Sequence, residues 1–229
     1  AITGPTGACD AWLILRKPVT LVMGGRHPTP KSLFKEITSD ILWWKIDGIL
    51  EPEAGKGDMV DYIKEMRSDR LIDCIEINPE LQATLKGKGY SVIHDDFLTF
   101  KPKCHYDLII MNPPFDKGVT HLLKALSIQE HGGRVICILN AETLRNPYTN
   151  ERKELVKKLE ELDASITYRT DAFVSAERTT TVEITIVDVT IPEEKKSSII
   201  MEKIFARRSR IVNEGGNCYD KSKSKQYCK

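Results

Sequence analysis

Two strongly apolar runs, "YDLIIM" at 106–111 and "RVICIL" at 134–139, constrain this chain more than any other feature. A strand with one wet face alternates apolar and polar residues, whereas a run with almost no polar position needs cover on both faces. Helical patterns supply that cover. "VTHLLKALSIQEHGG" lies between the two runs and ends on Gly132 and Gly133, and the amphipathic "NERKELVKKLEELDA" follows the second. Upstream, "PKSLFKEITSDILWW" sets Leu33, Phe34, Ile37, Ile41 and Leu42 at helical spacing behind Pro30 and predicts a helix over 30–44. "DGILEP", "LIDCIEI" and "YSVIHDDF" read as further strands, with helices at "MVDYIKEM" and at "PELQATLKG", the latter opened by Pro79 and closed by glycine. Two β-rich runs, "SITYRTDAF" and "TTTVEITIVDVTI", close the pattern without a helix between them; the second alternates over Val182, Ile184, Ile186 and Val189. The expected fold is α/β: a doubly wound, mostly parallel, seven-stranded sheet with an antiparallel hairpin at one edge.

Composition agrees with one packed domain. The chain has 229 residues, 41% hydrophobic and 29% charged, with net charge +1. No apolar run approaches the roughly 18 residues that a membrane span requires, so no membrane association is expected. The six cysteines are scattered without a C-x-x-C pair, and Cys74 and Cys137 sit inside apolar runs. This favours reduced core thiols in a cytoplasmic protein over a disulfide framework, and no metal site is expected. The pattern divides the chain into an extension over 1–25, a folded domain over 26–192 and a basic tail over 193–229. Between 201 and 229, eight Lys and Arg face three acidic residues. That tail reads either as a solvated segment or as a phosphate-contacting one.

In a doubly wound sheet, ligands bind beyond the carboxyl ends of the strands, so the loops there hold the candidate site. The first is "EPEAGKGD" at 51–58, in which Gly55 and Gly57 permit a tight turn and close backbone approach. It is not a phosphate-cradling P-loop, because Lys56 precedes Gly57, and not a three-glycine dinucleotide loop, because position 60 is Val. Glu76 ends the next strand 19 residues after Gly57, where a carboxylate can accept both hydroxyls of a ribose. In the third loop Asp96 can accept from an adenine amine and Phe97 can cover its ring.

The fourth loop is "NPPF". Pro113 and Pro114 cannot continue a ladder, so the apolar strand must end at Asn112. The Asn112 side-chain oxygen and the Pro113 carbonyl are then two acceptors at the rim. Such a pair would hold both hydrogens of an exocyclic amine on a base and turn its lone pair toward an electrophile, with Phe115 stacked on the ring.

These segments together resemble the class I S-adenosylmethionine-dependent methyltransferases that modify the exocyclic N6 of adenine, a family with a Rossmann-like sheet. "LEPEAGKGD" matches the E-P-x-x-G-x-G loop, "IEIN" the acidic strand end, "DDFL" the D-F segment and "NPPF" the catalytic tetrapeptide. "HPTP" at 27–30 resembles the P-T-P segment that closes over the methionine end of the cofactor; it also reads as a helix start with Thr29 as cap. The resemblance spans about 27–190. It implies S-adenosylmethionine as cofactor, held by Thr29, Glu51, Pro52, Gly55, Gly57, Asp58, Glu76, Ile77, Asp96, Phe97 and Asn112. It implies that Asn112, Pro113, Pro114 and Phe115 form the catalytic loop.

Phe173 and Arg178, in "DAFVSAERTTTVE", are candidates to finish the substrate pocket beside Phe115, the first by stacking and the second on phosphate. Three features depart from the family pattern. Glu53 occupies a loop position that is often small, where it could crowd the cofactor carboxylate. His27 stands where an aromatic is common. Little sequence remains for a target-recognition region. The expected substrate is DNA; the alternatives are RNA, in a compact ribosomal adenine or guanine methyltransferase, or a non-catalytic cofactor-binding subunit. A protein partner supplying target recognition fits the small size.

Overall fold

The computed structural model describes residues 28–69, 72–170 and 183–193. Its elements follow in the order α1 (Lys31–Ile37), a 3-10 turn (Trp43–Lys45), β1 (Ile49–Glu51), α2 (Asp58–Met66), β2 (Ile72–Ile75), α3 (Pro79–Gly87) and β3 (Ser91–His94). They continue with β4 (Leu108–Met111), α4 (Gly118–Ile128), β5 (Gly133–Asn140), α5 (Glu142–Arg145), α6 (Asn150–Glu161), β6 (Ser165–Arg169) and β7 (Ile184–Ile191). The strands form one seven-stranded sheet in the order β3-β2-β1-β4-β5-β7-β6. The β1–β2, β1–β4, β2–β3 and β4–β5 pairs are parallel, and β7 runs antiparallel to both β5 and β6.

The expected covering of both faces is visible along single strands. In β4, Leu108 and Ile110 join one core cluster, while Ile109 and Met111 join the other. The first cluster also takes Phe34 of α1, Val60 and Ile63 of α2 and Leu85 of α3; the second takes Leu122 and Leu126 of α4 and Leu155 and Leu159 of α6. Three helices thus cover one face, and α4, α6 and the short α5, through Leu144, cover the other. Truncating a fully buried strand residue such as Ile109 to Ala would cost about 2–5 kcal/mol.

Three expectations need correction. The first helix stops at Ile37 instead of reaching Trp44. Both the backbone N–H and the hydroxyl of Thr38 donate to the Phe34 carbonyl, and Ser39 does the same toward Glu36, so local side-chain bonds end the helix. Ile41 is still buried, delivered by the turn that follows. Second, the β6–β7 hairpin lies at one edge of the sheet as expected, but β7 is packed on both faces. Ile184 and Ile186 enter the first cluster, but Val189 enters the second together with Val187, so Val189 is out of phase with them. Val182 lies outside the described residues. Third, α5 has no counterpart in the periodicity reading.

Arg134 ties the bottom of the sheet together. Its guanidinium donates to both carboxylate oxygens of Asp188 on β7 and to Asp40 beyond α1. Those bonds hold the Asp40 carboxyl below its ordinary value. Cys74 and Cys137 are buried free thiols, each raised by burial.

Candidate active site

The strand order reverses between β1 and β4, so the crevice of this sheet opens where Glu51 and Asn112 leave it side by side. After β1 the chain turns through Gly57 with φ 88°, a left-handed conformation. A Cβ there would also lie 2.9 Å from Leu85 and 3.1 Å from the Tyr90 ring, so glycine is required twice over. Asp61 in the first turn of α2 accepts from the Tyr90 hydroxyl and from Lys88, whose ammonium also donates to the Lys56 carbonyl, and this clasp fastens the loop from below. Burial, and then the bond to Asp61, push the Tyr90 phenol up to about 12.

Glu76, only 1% exposed, braces the same loop from the neighbouring strand end. One carboxylate oxygen accepts from Gly55 N–H at 2.8 Å and the other from Asn78 N–H at 2.9 Å. Asn78 in turn caps α3, accepting from Glu80 and Leu81 N–H. The carboxylate is therefore preset in orientation.

Asp96 is half-buried and accepts from Leu98 N–H at 2.9 Å, closing the turn after β3. A cavity of about 320 Å³ lies between these loops; Pro52, Glu76, Ile77, Asp96, Phe97 and Pro114 are among its walls. Such a volume is at the lower end of small-molecule pockets, and Ile77 is largely exposed, ready to cover a flat ligand. Phe97 is itself buried, with its ring 5.8 Å from that of His121.

Asn112 lies next to this cavity. Its amide nitrogen donates to the Thr29 hydroxyl at 3.0 Å, which sets the amide plane and turns the oxygen the other way. Thr29 is buried and does not cap α1: Pro30 holds the cap position, with no side-chain cap bond. The Thr29 hydroxyl serves Asn112 across 83 residues instead. Pro113 is buried, Pro114 and Phe115 are half-buried, and Phe115 packs against the first core cluster. Phe173 and Arg178 lie outside the described residues, as does His27.

Carboxylates dominate the electrostatics. Glu51 is 2% exposed, and its Oε2 has no hydrogen-bond partner among the described residues. Burial, and then the charges of Glu53, Asp58, Asp61 and Glu76, push its carboxyl well above the ordinary range. Glu53, expected to crowd the site, is instead engaged by His121 of α4, whose Nδ1 lies 2.5 Å from its Oε1. Both residues are 7% exposed and both line the cavity. His121 was not a sequence candidate. It lies 68 residues from Glu53 and inside an apolar helical pattern, so no local signal marks it.

The sheet order, the antiparallel β7 and the glycine loop after β1 constitute the class I S-adenosylmethionine-dependent methyltransferase fold. Solved structures agree. The chain resembles an O-methyltransferase from Bacillus cereus in complex with SAH, at 12% identity and TM-score 0.53 over 72% of this chain and 83% of that one. It also resembles PH1948 of Pyrococcus horikoshii, an RNA methyltransferase candidate, at 18% identity and TM-score 0.51 over 72% and 86% of the two chains. The cofactor-bound Rv0187 from MTB aligns at 10% identity and TM-score 0.54 over 75% and 85%. Among curated proteins, the Type II methyltransferase M.CvrRI of Paramecium bursaria Chlorella virus XZ-6E is 29% identical over 93 residues. That stretch is 40% of this chain and spans 24% of the viral protein. No family model matches the sequence. Among the described residues there is no cluster able to hold a metal ion, and no helix long and apolar enough to cross a membrane.

Proposed function

We propose that this protein transfers the methyl group of S-adenosylmethionine to the exocyclic N6 of adenine in DNA. The observation that carries the reading is the Asn112–Pro113–Pro114–Phe115 turn at the sheet's reversal point, with the Asn112 amide oriented by Thr29.

The residues present suit the cofactor. It brings an ammonium, a sulfonium and a ribose diol, and this crevice offers the buried Glu51 oxygen, Asp58 at the start of α2 and the preset Glu76 carboxylate. Gly57 lets the loop pack closely on Leu85 and Tyr90. Asp96 and Ile77 suit the adenine end of the cavity. When bound, the cofactor supplies a methyl group already activated on sulfur. The chain's own task is positioning: Asn112 Oδ1 and the Pro113 carbonyl accept the two amine hydrogens of the target, and Phe115 supports its ring. Fixed acceptors aimed at a developing charge are a large source of rate enhancement. The E-P-x-x-G-x-G loop at 51–57 together with the P-T-P segment at 28–30 favours DNA over RNA in this reading. A partner protein that supplies target recognition completes this reading.

The test presents methyl-labelled cofactor with duplex DNA, single-stranded DNA and total RNA, followed by nucleoside mass spectrometry. Methyl on deoxyadenosine is expected. Asn112→Ala should lower transfer by a factor of about 10²–10³, far more than it weakens cofactor binding. Methyl on adenosine or guanosine would move the protein to the RNA class. Undiminished transfer by Asn112→Ala would overturn the assignment of that loop.

A further inference from the structure

The segment between β5 and α6 emerges beside the candidate site. Met111 pairs with Cys137, so Asn112 and the residues beyond Asn140 leave adjacent strands on the same rim. Ile184, the first residue of β7, faces both Asn140 and Arg169, which brings the end of β6 to that rim as well. Tyr148 stands on this segment and is 68% exposed. The Arg152 guanidinium lies over its ring, 4.6 Å from the centroid. Arg152 is itself held, donating to the carbonyls of Glu142 and Asn146 at 3.3 Å. The backbone is tied too: Tyr148 N–H donates to Asn146 O, and Arg152 N–H to the Thr149 hydroxyl that caps α6.

A ring with one face under a guanidinium and two thirds of its surface in solvent must present its other face outward. A second pair of the same kind lies nearby: Arg145, exposed and ion-paired with Glu183, sits 4.5 Å from the centroid of the Tyr168 ring. Folding gains little from an aromatic left this exposed, since the area removed from water is small. What such a ring recognises is another flat π-system, and every unpaired base has one. Bases inside a duplex show no face to a side chain. The cation behind the ring complements the phosphate chain that carries the base.

We propose that Tyr148, backed by Arg152, is a stacking platform for an unpaired base flanking the target in single-stranded nucleic acid. The inference rests on the nucleic-acid reading of the Asn112 site and adds where the strand runs: from the NPPF loop across the end of β5 toward the start of α6.

The experiment measures binding of a fluorescent single-stranded deoxyoligonucleotide to the full chain saturated with S-adenosylhomocysteine. Tyr148→Phe should bind like the natural protein, because stacking needs no hydroxyl. Tyr148→Leu should weaken binding about tenfold, within the range for loss of one base–aromatic stack. Cofactor affinity and melting temperature should be unchanged in both, which separates a lost platform from a damaged fold. Equal binding by Tyr148→Leu would overturn the platform and leave the nucleic-acid reading intact. Preference of the natural protein for duplex over single strand would overturn it as well. No binding of any nucleic acid would overturn the inference together with the reading beneath it.

Discussion

The pairing of Glu53 with His121 can be tested by a double-mutant cycle, and its geometry fixes what the cycle should show. The His121 and Glu53 side chains are both buried and meet at 2.5 Å inside the wall of the cavity. Removing one partner leaves the other buried without it. An unsatisfied buried hydrogen-bonding group costs about 1–3 kcal/mol, and a broken buried ion pair about 3–5 kcal/mol. The two ranges meet at about 3 kcal/mol, which is the loss expected for His121→Leu or for Glu53→Ala. For a domain of this size that lowers Tm by about 6–12 °C. The double variant removes both polar groups and should be less destabilised than the singles added together, by more than about 1.5 kcal/mol. Urea unfolding of the four proteins reads this directly. Additivity within about 0.5 kcal/mol would refute the pairing and leave Glu53 as the intruder that its sequence position suggests.

Two further outcomes follow from the buried carboxylates. Glu51 has its folded-state pKa raised by burial, so its contribution to stability is fully present below its unfolded value near 4.5 and declines as pH rises toward the folded value. Glu51→Gln should therefore match the natural protein in stability at acid pH and exceed it increasingly above about pH 4.5, by about 1.4 kcal/mol per pH unit until the folded pKa is passed. Thermal melts of the ligand-free protein across pH check this, and parallel curves would refute it. Glu76→Ala deprives the Gly55 and Asn78 N–H groups of their acceptor, so it should lower stability by about 1–3 kcal/mol and also weaken cofactor binding. Loss of stability with unchanged affinity in a titration would make Glu76 a brace alone.

Much of the architecture is carried by neighbours in the chain and was readable from them. Apolar runs without a polar position specify strands covered on both faces, and β4 sends its residues alternately into two cores as that requires. Pro79 starts α3 where its fixed backbone angle places a helix start, and Asn78 supplies the cap. The prolines after Asn112 end β4 because a ladder cannot pass through them. From these rules alone, the loops holding Gly57, Glu76, Asp96 and Asn112 belong on one rim.

Other features depend on which surfaces meet, and no periodicity encodes that. Thr29 looks like a helix cap, and only the folded chain brings Asn112 within 3.0 Å of its hydroxyl. The regular spacing that suggested a long first helix gave way to bonds made by Thr38 and Ser39. The last strand is covered on both faces, Ile184 and Ile186 entering one core cluster and Val187 and Val189 the other. Glu53 is acceptable in the cavity wall because an imidazole on another helix arrives beside it. Tyr148 gains its interest from an arginine beneath it and from the rim it shares with Asn112. Hydrophobic period and backbone restriction act over a few residues, so the sequence by itself determined the elements and the chemistry on their ends. Pairings across tens of residues are set by close packing of whole elements, and those only the tertiary structure decided.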